Sequence, residues 1–303
     1  MKTRTRLVLL FLCICITGRV YSQSNGISLH EEQNRILLVA GGGGAAYLGS
    51  MVILNQYWYA NYPKSSFHFF NDNKEWLQMD KCGHFFTSYY EGYYGYRMLK
   101  WAGVNDNKAI LFGGTWGILF QTPIEVMDGF SSEWGFSWGD ETANVLGTLF
   151  FIVQQKEFGT QRIQPKFSFW PSDYTQYRPD ELGSGFPETL IKDYNAQTYW
   201  LSTSIDNYYP NHYVPTYVNF ALGYGADGMI GGYENPAEVN GMPVPHFNRQ
   251  RQFYLSFDLN LANIVTKNQG VNTALQALSF IKMPSPTLEW HEGKGLKFHV
   301  VYF

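Results

Sequence analysis

Cysteine is nearly absent once an N-terminal leader is set aside. Cys13 and Cys15 fall inside the leader's apolar run and leave Cys82 alone, so the mature chain can form no intramolecular disulfide and must be held by burial. Charge is also scarce, at 16% of residues with a net −3 and no basic run, which excludes a nucleic-acid-binding surface. Several catalytic signatures are missing. There is no Gly-x-Ser-x-Gly elbow, and neither His30-Glu31 nor His291-Glu292 continues to a second histidine at zinc spacing. Gly41-Gly42-Gly43-Gly44 lacks the Lys-Ser/Thr of a phosphate loop. His68, His212, His246 and His291 show no ligand spacing and read as surface histidines. Aromatic residues are abundant instead, at 18%. That composition suits contact with a membrane, an aromatic binding surface, or an aromatic-rich soluble core.

The first 22 residues read as a signal peptide. Lys2, Arg4 and Arg6 form a basic start, Leu7 to Ile16 an apolar run, and Val20-Tyr21-Ser22 a small-residue site for cleavage before Gln23. The run is short for a bilayer span, so export with removal of the leader is expected. Leu10-Phe11-Leu12 before Cys13 lacks the small residue of a lipoprotein signal, so no lipidation is expected.

Beyond the leader the hydrophobic period changes once. Uncharged stretches predict helices over Ile36 to Trp58, Met79 to Trp101, Lys108 to Met127 and Trp138 to Lys156, joined shortly enough for an antiparallel bundle. Asn105-Asp106-Asn107 supplies a helix start, Gly129 a stop, and Ser137-Trp138-Gly139-Asp140 a capping box. Glycines 41–44 are costly in a water-exposed helix, and the reading given to them is close approach of a second helix. Residues 161–213 read as a loop-rich connector with one short helix near Glu188 to Thr203. Then apolar residues alternate along Val218 to Tyr224, Phe253 to Leu261 and Leu296 to Tyr302, which predicts antiparallel strands burying their apolar face. The fold expected is α+β: a membrane-associated helical region over 23–160, then an antiparallel sheet over 214–303 packed on the helices. The strands are too few for a closed barrel.

Polar residues inside those apolar helices are the candidate site. Asp80 and His84 are one turn apart, as are Glu125 and Asp128, and Asp140 and Asn144. Buried charge costs several kcal/mol unless it is paired, metal-bound or used chemically. Together with Lys81, these residues could bind a divalent metal, support acid–base chemistry at His84, Glu125 and Asp128, or form a salt-bridged structural network. Simpler roles stay open. Asp140 can cap its helix, Asp80 can pair with Lys81 or Arg97, and Asn144 can bridge two helices. Glu125 and Asp128 fit such roles least, because a helix C-terminus disfavours acids. Cys82 beside Lys81 could carry a lowered thiol pKa, but a small buried residue is the preferred reading. The cofactor is left unknown, and metal binding is left open.

Asp80-Lys81-x-x-His84-Phe85, Glu125 and Asp140-x-x-Ala143-Asn144-x-x-Gly147 resemble the sparse pattern of VanZ-like membrane proteins. With Glu125-x-x-Asp128-Gly129 and Gly135-Phe136-Ser137 added, residues 35 to 155 resemble YfiM-type predicted periplasmic lipoproteins, a domain of unknown function. The resemblance implies an envelope protein with a helical core, and VanZ-like members are associated with glycopeptide resistance. The function expected is a membrane-associated binding or structural component of the envelope, periplasmic or at the outer membrane, with lipid as its partner. The alternative is a hydrolase or transferase acting on a lipid-linked or cell-wall substrate.

Overall fold

The computed structural model describes residues 29–59, 62–209, 214–291, 293 and 295–303. The expected leader and its cleavage site lie outside these residues, as does His212. The fold is α+β, and its contacts divide into two compact units.

The helical unit comprises residues up to Asn71 with Thr87–Gln161 and Thr266–Ala277. Its long helices are α1 (Leu29–Leu54), α2 (Met79–Trp101, of which residues from Thr87 belong here), α3 (Trp116–Asp128) and α4 (Trp138–Phe158). α2 and α4 begin at the predicted residues, whereas α1 begins at Leu29 instead of Ile36 and α3 at Trp116 instead of Lys108. The Asn105 side chain accepts from Lys108 N–H at 3.1 Å at the start of the turns leading into α3. Ser137 Oγ accepts from Asp140 N–H at 3.0 Å at the start of α4, as the capping box requires. Gly159, at φ +67°, closes α4 in the left-handed region.

Close helix approach occurs, but not at glycines 41–44. A Cβ on Gly41, Gly42 or Gly44 would meet nothing within 4 Å, and one on Gly43 only the Trp116 ring at 3.7 Å. The crowded glycines lie elsewhere. A Cβ on Gly92 would come within 2.6 Å of Gly114 O, one on Gly95 within 2.5 Å of Gly113 O, and one on Gly117 within 2.4 Å of Ser88 O. The backbone of α2 thus lies directly on α3 and the turns before it. Around that contact Tyr89, Ala109, Ile110 and Phe151 form the apolar part of the interior.

The second unit comprises Asp72–Phe86, Arg162–Val265 and Leu278–Phe303. Six strands, β1 (Ile163–Phe169), β2 (Gln197–Thr203), β3 (Val218–Asp227), β4 (Gln250–Leu259), β5 (Ser285–His291) and β6 (Gly295–Tyr302), form one antiparallel sheet in chain order. The sheet is open. Its first two strands lie in the stretch expected as a loop-rich connector, and the helix expected there is shortened to Glu188–Lys192 because β2 follows.

Alternation is present as predicted, but its polarity is the reverse of the expected one. The buried face carries Lys166, Ser202, Asn219, Ser256, Asp258, Thr287 and Glu289, while Phe220, Leu222, Phe253, Leu255, Phe257, Leu288 and Trp290 are exposed. Several of these buried polar groups pair with one another. Lys166 Nζ pairs with Asp258 Oδ2 at 2.9 Å, Ser202 Oγ donates to the same oxygen at 2.7 Å, and Thr287 Oγ1 donates to Ser256 Oγ at 2.8 Å. Trp200, Ala221 and Tyr254 provide a small apolar cluster on that face. Gly223 makes room for it, since a Cβ there would lie 2.5 Å from the Trp200 ring.

Candidate functional site

In the helical unit, a polar cluster sits where α2, α3 and α4 meet. Asn144 is fully buried, and Ser88 Oγ on α2 donates to its Oδ1 at 3.0 Å, so this amide does bridge two helices. Glu125, 1% exposed, accepts from the Ser137 N–H at 3.3 Å. One carboxylate thereby ties the end of α3 to the cap of α4. Asp140 is also buried, in the first turn of α4, where the positive end of the helix dipole favours a carboxylate. Asp128 points differently. The Tyr59 hydroxyl donates to its Oδ1 at 2.6 Å, holding the chain after α1 against the end of α3.

Asp80, Lys81 and His84 belong to the other unit. Lys81 Nζ lies 2.7 Å from Asp72 Oδ1 and 2.8 Å from Asp80 Oδ2, while Arg97 donates to Tyr93 and Gln276 instead. Asp72, Asp80 and Lys81 therefore form an ion-pair network, one of the sequence-level alternatives. Burial pushes the Asp80 carboxyl up, against the pull of Lys81. Glu75 is raised to about 7 by burial and by the nearby Asp72 and Asp80 carboxylates. Cys82 is half-buried, and burial with the Asp80 charge pushes its thiol to about 12, the opposite of an activated nucleophile. His84 stands one turn beyond Asp80, half-buried. An unusual backbone precedes this group: Trp76, Leu77 and Gln78 have φ of 47°, 51° and 67°. Left-handed non-glycine residues cost roughly 1–2 kcal/mol each. Trp76 N–H to Gly232 O at 2.8 Å, the Tyr224 hydroxyl to Leu77 O at 2.5 Å, and Arg251 Nη2 to Gln78 Oε1 at 2.8 Å pin the turn in place.

Two features escape sequence reasoning. The first is Glu91 on α2. Gln121 Nε2 donates to its Oε1 at 2.9 Å, Oε2 has no hydrogen-bond partner among the described residues, and burial raises its carboxyl to about 8. Its place in the aromatic run Tyr89-Tyr90-Glu91-Gly92-Tyr93 was the available signal. The second is on the buried face of the sheet. Glu289 accepts one imidazole on each oxygen, His291 Nε2 at 2.5 Å on Oε1 and His299 Nε2 on Oε2, and Gln252 Nε2 donates to Oε1 at 2.8 Å. His291 is accordingly a buried, paired histidine, not the surface residue expected. Alternation itself was the signal, because Thr287, Glu289 and His291 share one face of β5. This group lines an open cleft of about 420 Å³ with Tyr254, Lys297 and Tyr302. Such an arrangement can pass protons between imidazoles or present donors to a ligand.

An α+β protein with polar interiors is the class these observations define. Residues 68–156 are similar to a family described as "Predicted periplasmic lipoprotein (DUF2279)". No curated protein and no solved structure matches the chain. With its apolar N-terminal helix, the chain is an exported, envelope-associated protein.

Proposed function

We propose that this protein is a membrane-associated binding or structural component of the cell envelope, and that Asp80, Lys81, His84, Glu125, Asp128, Asp140 and Asn144 serve it as one functional set. The membrane reading is carried by α1. Within His30–Leu54, long and apolar enough to cross a membrane, only 6% of the apolar window is buried. A helix with so little protein around it buries its side chains in lipid or leaves them in water. The native protein should sediment with membranes and stay there in high salt, which strips only electrostatically held proteins. Release into the soluble fraction without detergent would refute the reading.

The functional set rests on sequence: all seven residues fall within the stretch 68–156 similar to the periplasmic family. The VanZ-like pattern of the same residues, and the division at 160 and 213, belong to this proposal as well. Each single change, His84→Ala or Glu125→Ala, should be severe, and the pair should cost little more than either alone. Mild and additive effects would separate the residues into independent structural roles. The enzyme alternative assigns acid–base chemistry to His84, Glu125 and Asp128, residue types that also bind divalent metals. A stoichiometric metal in purified protein, lost on Glu125→Gln, would favour that alternative.

A further inference from the structure

The exposed face of the sheet is banded. Leu201, Leu222, Leu255, Leu288 and Phe298 lie directly opposite one another on consecutive strands and form one continuous row. Two residues along each strand on one side runs a row of Tyr224, Phe253 and Trp290, with ring centroids 5.4 and 5.5 Å apart. Two residues along on the other side, Phe220 pairs with Phe257 at 5.1 Å. From β3 to β6 the three rows themselves carry no charged side chain; the nearest charge on this face is Arg251, one pair beyond the aromatic row, where it donates to Gln78. In the aromatic row the same face is covered from β1 to β3 by the unit's own residues: Phe86 packs on Phe167 and Tyr199, and Tyr224 packs on the Met79 cluster and donates to Leu77 O. The bare rings of that row are therefore Phe253 and Trp290, beside the exposed leucine row and the Phe220–Phe257 pair.

We infer that this leucine patch, bordered by aromatic rows, docks flat on a phospholipid bilayer, with its side chains at the boundary between headgroups and acyl chains. The inference rests on the membrane reading above and adds a second, independent contact to it. A protein partner is the weaker occupant, because protein interfaces are rimmed by polar, hydrogen-bonding residues. Aromatic borders around an aliphatic centre are the pattern of membrane–water interfaces. Orientation follows from the edges. Among the described residues the sheet is open and β6 pairs on one side only, so an upright, spanning sheet would leave unpaired backbone groups in hydrocarbon, where each costs several kcal/mol. Lying flat keeps both edges at the wet boundary and sinks only side chains, to the roughly 5–10 Å depth of interfacial elements.

The test uses the full chain with Cys13, Cys15 and Cys82 replaced by alanine, reconstituted in phosphatidylethanolamine–phosphatidylglycerol vesicles. An environment-sensitive fluorophore is placed singly at Leu222→Cys, Leu255→Cys or Leu288→Cys, and at Leu48→Cys on α1 as a control for membrane association itself. Lipids brominated near the carbonyl end of the acyl chain should quench the three sheet probes by about half, and more than lipids brominated near the methyl end, as expected at interfacial depth. Trp290→Phe supplies a readout without labelling, and should remove a lipid-quenchable part of the tryptophan emission. Stronger quenching from the methyl end would overturn flat docking in favour of insertion. Unquenched sheet probes with a quenched Leu48 probe would overturn the docking and leave the membrane reading standing, and cross-linking of Leu255→Cys between copies would then identify a second chain as the cover. If the Leu48 probe is also unquenched, the membrane reading fails with it.

Discussion

The helical unit and the sheet unit solve the same problem with different periods. Both put hydrogen-bonded polar groups inside and leave large apolar side chains outside. In the sheet the inversion is nearly complete, because a period of two sends every second residue to the same face. In the helices it is partial. Leu146, Leu149 and Val153 face outward on α4, yet Phe151 on the same helix is fully buried, as are Asn144 and Thr148. The comparison teaches that burial here does not track apolarity. Many of the buried polar groups pair at close range, where a low local dielectric strengthens paired groups and penalises unpaired ones.

The sharpest way to break the comparison is to remove one half of a buried charge pair. Lys166→Met should strand Asp258 and cost about 3–5 kcal/mol. Unfolding in detergent should show Lys166→Met with Asp258→Leu recovering part of that loss. If the single change is mild, the sheet's polar face is not a core.

Next comes the corresponding group among the helices. Burial raises the Glu91 carboxyl from its ordinary 4.5 to about 8, so its protonated form favours the folded state. That contribution is complete below pH 4.5 and is lost as pH rises through about 8, by about 1.4 kcal/mol for each pH step between those two values. Glu91→Gln should therefore lose less unfolding temperature between pH 5 and 9 than the unsubstituted protein, the remaining slope coming from groups such as Glu75, and exceed it at the alkaline end by several degrees. Parallel pH curves for the two proteins would show that Glu91 is hydrated.

Smaller effects separate the crowded from the open glycines. Gly117→Ala would force a methyl to within 2.3 Å of Thr148 Oγ1 and should destabilise by about 1–3 kcal/mol. Gly44→Ala meets open space and should stabilise α1 by about 0.5–1 kcal/mol through helix propensity. Equal outcomes at the two sites would mean that α2 and α3 do not touch at Gly117. Smallest is Ser137→Ala, a lost helix cap worth about 1 kcal/mol, measured by thermal unfolding.

Much of the secondary structure was legible before any tertiary contact was known. The cap at Ser137 and the stop at Gly129 are local, so the sequence alone determined where α4 begins and α3 ends, whereas the Asn105 cap opens only a short turn and α3 itself starts at Trp116. Alternation likewise determined β3, β4 and β6, and the export leader is read from the order of basic, apolar and small residues. Tertiary structure decided the rest. Alternation sorts side chains into two faces but does not say which is inside, since that depends on partners such as Lys166 for Asp258, far apart in sequence. The same holds for the glycines. Only the path of α3 makes Gly117 crowded and Gly44 free, because close approach belongs to a pair of helices. Glu289 shows the limit most plainly: His291 stands two residues along the same strand, but His299 reaches the carboxylate only when β5 and β6 pair.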